Sequence, residues 1–327
     1  MVQHFLLSAA SRTMSLKGIM SLTDADAWAM FRKFRWPDTD GAPVCPKCEC
    51  AICYEVTRPG AGTPRYRCKA CRKDFSPTSG TLFASHKLPI RDYLAAIALF
   101  VNAVKGVSAL QLARDLGVAA KTAWVLAHKL REAMAAEYKA LKVGGEGQVV
   151  EVDGCYVGGH VRQENRKEDR KDRRLVANKS DKRRVVVAVR QREGRTLTTV
   201  HQFEDEATPF IKARVNRGTV VHTDEANGWD ELRDRYTLQQ VNHREAFSHD
   251  GACTNQAESF FSRFRRAEWG QYHRLAGIYL SRYASEIGWR EDHRRDPNGA
   301  QFQMLSGRAA VQPQSVDFTG KWQRQKT

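Results

Sequence analysis

Paired cysteines constrain this chain more than any other feature of its sequence. Six of the eight cysteines lie between residues 45 and 71, and clusters of this kind in a reducing compartment bind metal far more often than they form disulfides. Four of them form a C-x2-C, x19, C-x2-C pattern, namely Cys45, Cys48, Cys68 and Cys71. Two such knuckles can close one tetrahedral thiolate site, and thiolates are soft ligands that suit zinc. The pattern predicts a structural Zn²⁺ in a compact ribbon.

Two further cysteines leave an alternative for the first knuckle. Cys50 and Cys53 have the same C-x2-C spacing and compete with the pair at 45 and 48. The earlier pair contains Pro46, which favours the tight turn that a knuckle needs. We therefore favour the earlier pair as ligands and treat Cys50 and Cys53 as spare.

Charge and length set the class of protein. The 327 residues are enough for two or three domains with separate cores, and 42% hydrophobic residues are typical of a folded chain. A surplus of 53 Lys and Arg over 37 Asp and Glu gives a net charge of +16, which indicates a polyanionic partner, nucleic acid first and an anionic membrane second. No stretch approaches the roughly 20 apolar residues of a membrane span. We expect a cytoplasmic protein with no membrane contact.

Changes in composition and in the spacing of apolar residues along the chain predict five regions. A helix over Asp24 to Phe34 lies in the first, and helical spacing between Leu88 and Tyr138, interrupted near Gly106 and Gly117, predicts three helices in the third. The predicted regions are an N-terminal helical segment 1–40, a zinc ribbon 41–80, a helix-turn-helix region 85–140, a β-rich region 146–295 and an irregular tail 296–327.

The β-rich region has an informative order of elements. Its predicted order is three strands, a helix, a strand, a helix, a strand and a helix, which resembles the RNase H-like fold. The predicted strands are Val149–Asp153, Val185–Val189, Thr196–Phe203, Thr219–Thr223 and Leu238–Val241. The expected fold class is multidomain α+β: an N-terminal zinc ribbon, a helix-turn-helix three-helix region and an RNase H-like α/β catalytic domain.

Residues 108–124 are typical of a helix-turn-helix. A first helix from Ser108 is followed by a turn at Gly117 and a second helix that runs to about residue 134. We expect Lys121, Thr122 and His128 on the outward side of the second helix, available to DNA bases or phosphates. An ordinary helical hairpin is the alternative.

Carboxylates at strand ends are candidates for metal chemistry. Asp153 and Asp224 each end an apolar strand, and active sites collect at the rim of a sheet. A third acid, Glu258, follows in a helical stretch, with Asn255 three residues earlier on the same helical face. Carboxylates can hold two Mg²⁺ or Mn²⁺ ions about 4 Å apart, which is an arrangement that cuts phosphodiesters. Singly, each acid has a plainer interpretation as a solvated cap or ion-pair partner.

Four short runs of sequence resemble a known family. The chain between Leu22 and Arg290, ribbon included, is similar to bacterial insertion-sequence transposases of the IS1595 group. The runs are Val152–Gly159, Thr223–Trp229, Val241–His243 and Thr254–Ser259. Because members are DDE-type recombinases, the resemblance implies that Asp153 and Asp224 are the first two metal ligands.

The third ligand position has two candidates. The family is often described with Asn as its third signature residue, which corresponds to Asn255, whereas the separation of 34 from Asp224 favours Glu258. A carboxylate also holds Mg²⁺ more strongly than a neutral amide, so we expect Glu258 as the ligand with Asn255 beside it. Seven residues after Glu258 the chain has Arg265 where the family commonly has Lys. Either cation can bind a phosphate.

The implied activity is transposition. The resemblance implies an enzyme that binds the ends of its insertion sequence through the ribbon and helix-turn-helix, and then cuts and joins DNA with Mg²⁺ or Mn²⁺. Its partners are double-stranded DNA, at the element ends and the target, and further copies of the chain on that DNA. Two rivals are a non-catalytic zinc-ribbon and helix-turn-helix regulator and a nuclease of the same fold. Residues 162–184, with eleven basic and five acidic side chains, fit either phosphate contact or a solvated loop.

Overall fold

The chain consists of two compact units. Unit 1 comprises Met1–Glu137 with His293–Thr327, and unit 2 comprises Tyr138–Asp292. The computed structural model describes residues 4–57, 62–159, 163–172, 175–178, 180–224, 227–241, 253–273, 275 and 277–318. Within these ranges, no helix has the length and apolar character that crossing a membrane requires.

Nine α-helices and eight strands lie within the described ranges. The helices are α1 Leu16–Met20, α2 Asp24–Arg35, α3 Ile90–Asn102, α4 Ala109–Leu116, α5 Ala120–Ala136, α6 Thr208–Arg214, α7 Asn255–Ala267, α8 Leu280–Asp292 and α9 Asn298–Val311. The strands are β1 Cys53–Glu55, β2 Tyr66–Cys68, β3 Asp74–Phe75, β4 Val149–Val157, β5 Arg184–Gln191, β6 Thr196–His201, β7 Val220–Asp224 and β8 Thr237–Val241.

The helices of unit 1 begin and end at residues that the sequence marks. The Thr23 side chain accepts a hydrogen bond from the backbone N–H of Asp26 and so caps α2. The Ser108 hydroxyl caps α4 in the same way, and Gly117 ends that helix with a left-handed φ of 65°. The helices predicted over 24–34 and between 88 and 138 are confirmed.

The C-terminal segment of unit 1 corrects the sequence analysis. The prediction of an irregular tail over 296–327 is wrong for Asn298–Val311, which forms α9. Phe302, Leu305 and Ala309 recur at helical spacing and are buried, and the Phe302 ring packs edge-on against Phe34 at 5.7 Å. This apolar stripe is short and lies among Gln, Ser and Arg, so the average polarity of the segment concealed it.

We predict that α9 is a structural part of unit 1. Phe302→Ala removes a buried ring and leaves a cavity, so it is expected to lower the free energy of unfolding by about 3 kcal/mol. Val311→Ala, on the exposed end of the same helix, is the control and is expected to change stability by less than about 0.5 kcal/mol. Urea denaturation of the full chain measures both, and equal effects would contradict a docked helix.

Unit 2 is built on one five-stranded sheet. Its spatial order is β6-β5-β4-β7-β8, with β5 antiparallel to both of its neighbours and β4, β7 and β8 parallel. The run Val185–Val189 in β5 is wholly buried, as a strand covered on both faces requires. Helix α7 packs Phe260 and Phe264 into the core beside this sheet. All five strands predicted for this region are confirmed, but β4 continues to Val157 as an antiparallel partner of β5, so the prediction that Asp153 ends its strand is wrong.

Candidate active site and zinc centre

Four thiol groups converge at the ribbon of unit 1. The sulfur atoms of Cys45, Cys48, Cys68 and Cys71 all lie within 4.8 Å of one another. The Sγ atoms of Cys45 and Cys71 are 3.6 Å apart, and those of Cys48 and Cys68 are 3.5 Å apart. A tetrahedral zinc site with Zn–S bonds of ~2.3 Å has sulfur–sulfur edges of about 3.8 Å. The four thiols therefore fit one structural Zn²⁺.

The two knuckles share one backbone geometry. The N–H of Glu49 donates to the carbonyl of Cys45 at 2.9 Å, and the N–H of Arg72 donates to the carbonyl of Cys68 at 3.0 Å. Glu49 and Arg72 both have a left-handed φ, 58° and 55°. This match decides between the candidate first knuckles, because Cys50 and Cys53 lie outside the four-sulfur cluster. The preference for Cys45 and Cys48 is confirmed.

We predict one zinc per chain, held by these four thiols. The full chain is expected to contain about one equivalent of Zn²⁺, and a Cys68→Ser, Cys71→Ser double variant less than half an equivalent, because two of four ligands are gone. The matched control, a Cys50→Ser, Cys53→Ser double variant, is expected to keep its metal. Elemental analysis of the purified proteins gives the answer, and zinc loss in the control alone would reverse the assignment.

Two aspartates lie on adjacent parallel strands of unit 2, Asp153 in the middle of β4 and Asp224 at the last residue of β7. The parallel register of β4 with β7 pairs Glu151 with His222, and Asp153 and Asp224 each follow two residues later along their strands. Burial and the nearby charge of Asp224 raise the pKa of Asp153 to about 7, and Glu258 and Glu204 add to the rise. The predicted acids thus share one electrostatic environment, with negative charge concentrated around Asp153.

Two side chains at these acids had no assigned role in the sequence analysis. The indole Nε1 of Trp229, a fully buried residue, donates to Oδ1 of Asp224 at 2.9 Å. A Cβ atom at Gly154 would lie 2.6 Å from Oε1 of Glu204, so a larger residue there would displace this fourth carboxylate. Trp229 and Gly154 both belong to the family runs quoted above, so the sequence held a signal that could have marked them as site residues. Glu204 lies outside those runs and carried none.

One face of α7 lines an open cleft of about 2080 Å³. Glu258, Phe261, Arg265 and Glu268 recur at helical spacing along its wall, and Asp153 lines the same cleft. The Arg265 guanidinium donates to the carbonyl of Tyr156 at 3.2 Å and so is held over the end of β4. Three predicted site residues, Asp153, Glu258 and Arg265, are therefore brought together. Asn255 is exposed one turn before Glu258, at the first position of α7.

The start of α7 is capped from the sheet. Oε2 of Glu151 accepts hydrogen bonds from the backbone N–H groups of Gln256 and Ala257, at 2.7 and 3.0 Å. The cap position itself is Thr254, whose side chain makes no capping bond. Asn255 is the first residue of α7 and not its cap, and a buried carboxylate on β4 accepts the hydrogen bonds that a capping side chain would otherwise accept.

Glu151 also closes a buried network. Its Oε1 accepts from Nε of Arg192 at 2.9 Å, and Arg192 donates to the Sγ of Cys253 at 2.7 Å. Nδ1 of His222 accepts from the backbone N–H of Cys253 at 3.2 Å. Burial lowers the pKa of His222, which favours its neutral form. The network joins β4, β7 and the residue that leads into α7.

We predict that Glu151 stabilises unit 2. Glu151→Gln keeps the shape but removes the charge that pairs with Arg192, and breaking a buried ion pair costs about 3–5 kcal/mol. Glu231→Gln is the control, since Glu231 forms only an exposed pair with Lys212 at 3.8 Å and is expected to contribute less than about 1 kcal/mol. The two variants are compared by urea denaturation without divalent metal. Indistinguishable midpoints would show that the network is not a stabilising feature.

The helix pair of unit 1 supports part of the predicted DNA-contact set. Lys121 and Thr122 are exposed in the first turn of α5. His128 is fully buried, so its prediction as an outward-facing residue is wrong. Its ring lies 4.4 Å from the ring of Trp124 and stacks at 5.3 Å on Phe318, from the segment after α9. The sequence pattern of α5 alone does not reveal a cover that comes from so distant a segment.

Parts of three predicted features lie outside the described residues. Of the family run 223–229, residues 225 and 226 are not described. Of the family run 241–243, only Val241 is described, and it is buried at the end of β8. Of the basic segment 162–184, residues 163–172, 175–178 and 180–184 are described. Among these, Lys171, Lys182, Arg183 and Arg184 line the cleft that contains Asp153 and Glu258. The basic residues of this segment therefore lie near the acids and not only on a remote loop.

Family comparisons decide the identity. A model of the ISXO2-like transposase domain matches residues 143–292, nearly the whole of unit 2, and a model of the transposase zinc-ribbon domain matches residues 22–74. Both models belong to IS1595. The chain belongs to the IS1595-type transposases. The earlier resemblance is confirmed, and the transposase is favoured over the non-catalytic regulator.

Other comparisons add little. Among solved structures, the transposase is similar to the crystal structure of the Mos1 strand transfer complex, at 12% sequence identity and a TM-score of 0.25, covering 69% of this chain and 81% of that one. Likeness at this level carries no conclusion about mechanism. A comparison with curated proteins found no match.

Proposed function

We propose that this transposase cuts and joins DNA strands in unit 2 by metal-dependent DDE chemistry, and that unit 2 has the RNase H-like fold. The observation that carries the proposal is the placement of Asp153 and Asp224 on the adjacent parallel strands β4 and β7, with Glu258 in the same electrostatic environment. The sheet supports the fold, because its first three strands form an antiparallel meander and its fourth and fifth strands run parallel to the first.

The acids fit divalent cations. Mg²⁺ and Mn²⁺ prefer carboxylate oxygens, and the carboxylates that raise the pKa of Asp153 form a concentration of negative charge that a bound cation neutralises. We assign Asp153, Asp224 and Glu258 as the ligands, with Trp229 orienting Asp224 through its hydrogen bond. Such ions, when bound, activate the attacking oxygen and stabilise the leaving one.

The chain's own residues position the reacting strand. Water attacks the phosphorus at the element end, the bond from phosphorus to the 3′ oxygen breaks, and a free 3′-hydroxyl leaves. That hydroxyl then attacks a target phosphodiester and displaces a target 3′-hydroxyl, without a covalent enzyme intermediate. Arg265, held by Tyr156, is placed to bind a phosphate with its remaining N–H groups. Asn255, one turn before Glu258, is assigned to the water or a phosphate.

Unit 1 is assigned to the recognition of DNA. The α4–α5 pair, in which Gly117 makes the turn, forms a helix-turn-helix with Lys121 and Thr122 exposed on its second helix. The zinc ribbon precedes it in the chain and is assigned to the same task. The net charge of +16 supports a polyanionic partner. Because transposition joins two element ends, we expect at least two copies of the chain to act together on DNA.

We predict a graded loss of strand cleavage on substitution. Asp153→Ala, Asp224→Ala and Glu258→Ala are each expected to lower Mg²⁺-dependent cleavage of a duplex bearing the element ends by at least about 100-fold, since even outer-shell partners of a metal cost 10–100-fold. Asn255→Ala is expected to cost about tenfold, the lower limit of that range.

The controls separate chemistry from binding. Glu231→Ala removes an exposed acid of the same unit and is expected to cleave normally. For every variant, DNA binding is measured in the presence of Ca²⁺, and the affinity for Mn²⁺ is measured by calorimetry. A variant that has lost a metal ligand is thereby distinguished from one that has lost its fold. If Glu258→Ala cleaves at near-parental rates while Asn255→Ala abolishes cleavage, the third ligand is Asn255.

A further inference from the structure

Two large apolar side chains stand exposed on the cleft that contains the acids. Trp269 is 70% exposed and Ile278 is 82% exposed, and both line the cleft together with Asp153 and Glu258. Within the described part of the chain, the Trp269 indole makes no hydrogen bond and no ring contact. An exposed aromatic beside a catalytic centre is therefore unexplained by the packing of unit 2.

The segment that presents Trp269 is anchored on both sides. Trp269 lies in a π-helical turn, Glu268–Tyr272, which continues α7 and ends at His273 with a left-handed φ of 56°. Arg265 pairs with Glu268 at 3.8 Å, and the Tyr272 hydroxyl donates to the buried Glu286 at 2.7 Å. π-Helical turns and left-handed non-glycine residues are unfavourable and gather at functional sites. The backbone turn that carries the indole is thus held on the cleft.

Cations line this cleft beside the acids and can bind a phosphate backbone. Lys182, Arg183, Arg184 and Arg265 line the same cleft, and the guanidinium of Arg183 is held 3.9 Å above the Tyr156 ring. Gly159, with a φ of +67°, lets Arg183 approach, since a Cβ there would lie 2.7 Å from the Cβ of Arg183. Basic side chains beside an exposed aromatic are the combination that binds single-stranded nucleic acid, because phosphates contact the cations and bases stack on the ring.

We propose that Trp269 is a stacking platform for an unpaired base of the DNA strand that the transposase cuts, with Ile278 as a second apolar contact on the same cleft. The proposal deepens the strand-cleavage function and rests on it. It assigns the cleft to a strand whose bases near the cut are unpaired, since a base within a duplex is already stacked on its neighbours and offers no face to the indole.

The helix gives the position of the stacked base. Trp269 follows Glu258 by eleven residues, which is about 16 Å along a helix at 1.5 Å per residue. At about 3.4 Å per nucleotide of one strand, this is about five nucleotides. We therefore expect the stacked base within about five nucleotides of the phosphate that lies at the acids.

The experiment measures base stacking directly, through the fluorescence of 2-aminopurine, and under conditions that do not require cleavage. The probes are a 30-base-pair duplex with a five-nucleotide single-stranded 3′ extension, carrying 2-aminopurine at one extension position at a time, and a fully paired duplex with the same base. The full-length protein, Trp269→Ala, Trp269→Phe and Phe203→Ala are titrated in Ca²⁺. Phe203, 55% exposed in the same unit and not among the residues lining the cleft, is the matched control.

The expected result is quenching of 2-aminopurine at one or two adjacent extension positions by the parent protein. Trp269→Ala is expected to abolish this quenching and to weaken binding of the extended duplex about tenfold, which is within the effect of losing one stacked base. Trp269→Phe is expected to keep most of both, Phe203→Ala to match the parent, and binding of the paired duplex to be unchanged in all variants.

Two outcomes would overturn the proposal. Equal quenching by the parent and Trp269→Ala would remove the indole from the DNA path. A Trp269→Ala variant that binds DNA as the parent does but sediments as a smaller oligomer would make this surface a contact between copies of the chain. Quenching in Ca²⁺ does not depend on catalysis, so a parent protein that stacks the base yet never cleaves in Mg²⁺ would refute the proposed function alone.

Discussion

A buried carboxylate, Glu151, determines where the acids of unit 2 can meet. One of its oxygens pairs with Arg192 and the other caps the start of α7, so a single side chain ties the central strand to the helix that carries Glu258. Side chains two residues apart share a face of a strand, which sets Glu151 directly beneath Asp153. On β7, His222 stands in the same relation to Asp224 and joins the same network. Each aspartate thus has a hydrogen-bonded polar residue two positions earlier on the same face of its strand.

This arrangement has an electrostatic consequence. Acids crowded at one sheet edge repel one another, and the raised pKa of Asp153 is the visible effect of that repulsion together with burial. The fold maintains the crowding by local means: Trp229 fixes Asp224, and the missing side chain at Gly154 admits Glu204. The cation proposed for this site would therefore meet acids that the fold already holds together, and its binding would need little rearrangement. The ion pair and hydrogen bonds of the Glu151 network stabilise unit 2 and so offset the repulsion among the acids around Asp153.

The sequence predicted the elements better than it predicted their long-range contacts. The zinc ligands, the five strands and the helices near α4 and α5 follow from spacing and periodicity, which are local properties. The failures concern distant partners: α9 was concealed by its polar neighbours, and His128 is covered by Phe318, 190 positions further along the chain. Glu204 lay outside every recognisable run. Whether a side chain faces solvent or a distant segment is decided by packing, and a periodic pattern leaves it open.

The Arg at position 265 suits this particular cleft better than the family's common Lys would. Its guanidinium already donates to the carbonyl of Tyr156 and lies 3.8 Å from Glu268, yet it is only partly buried. A planar fork has five N–H donors, so two contacts leave several for a phosphate, whereas a Lys ammonium presents all of its donors from one atom. Glu268 begins the π-helical turn that presents Trp269. The same guanidinium therefore connects the end of β4 with the turn that carries the exposed indole and keeps N–H groups for the phosphate proposed above, whereas a Lys there would have to give up one of these three contacts.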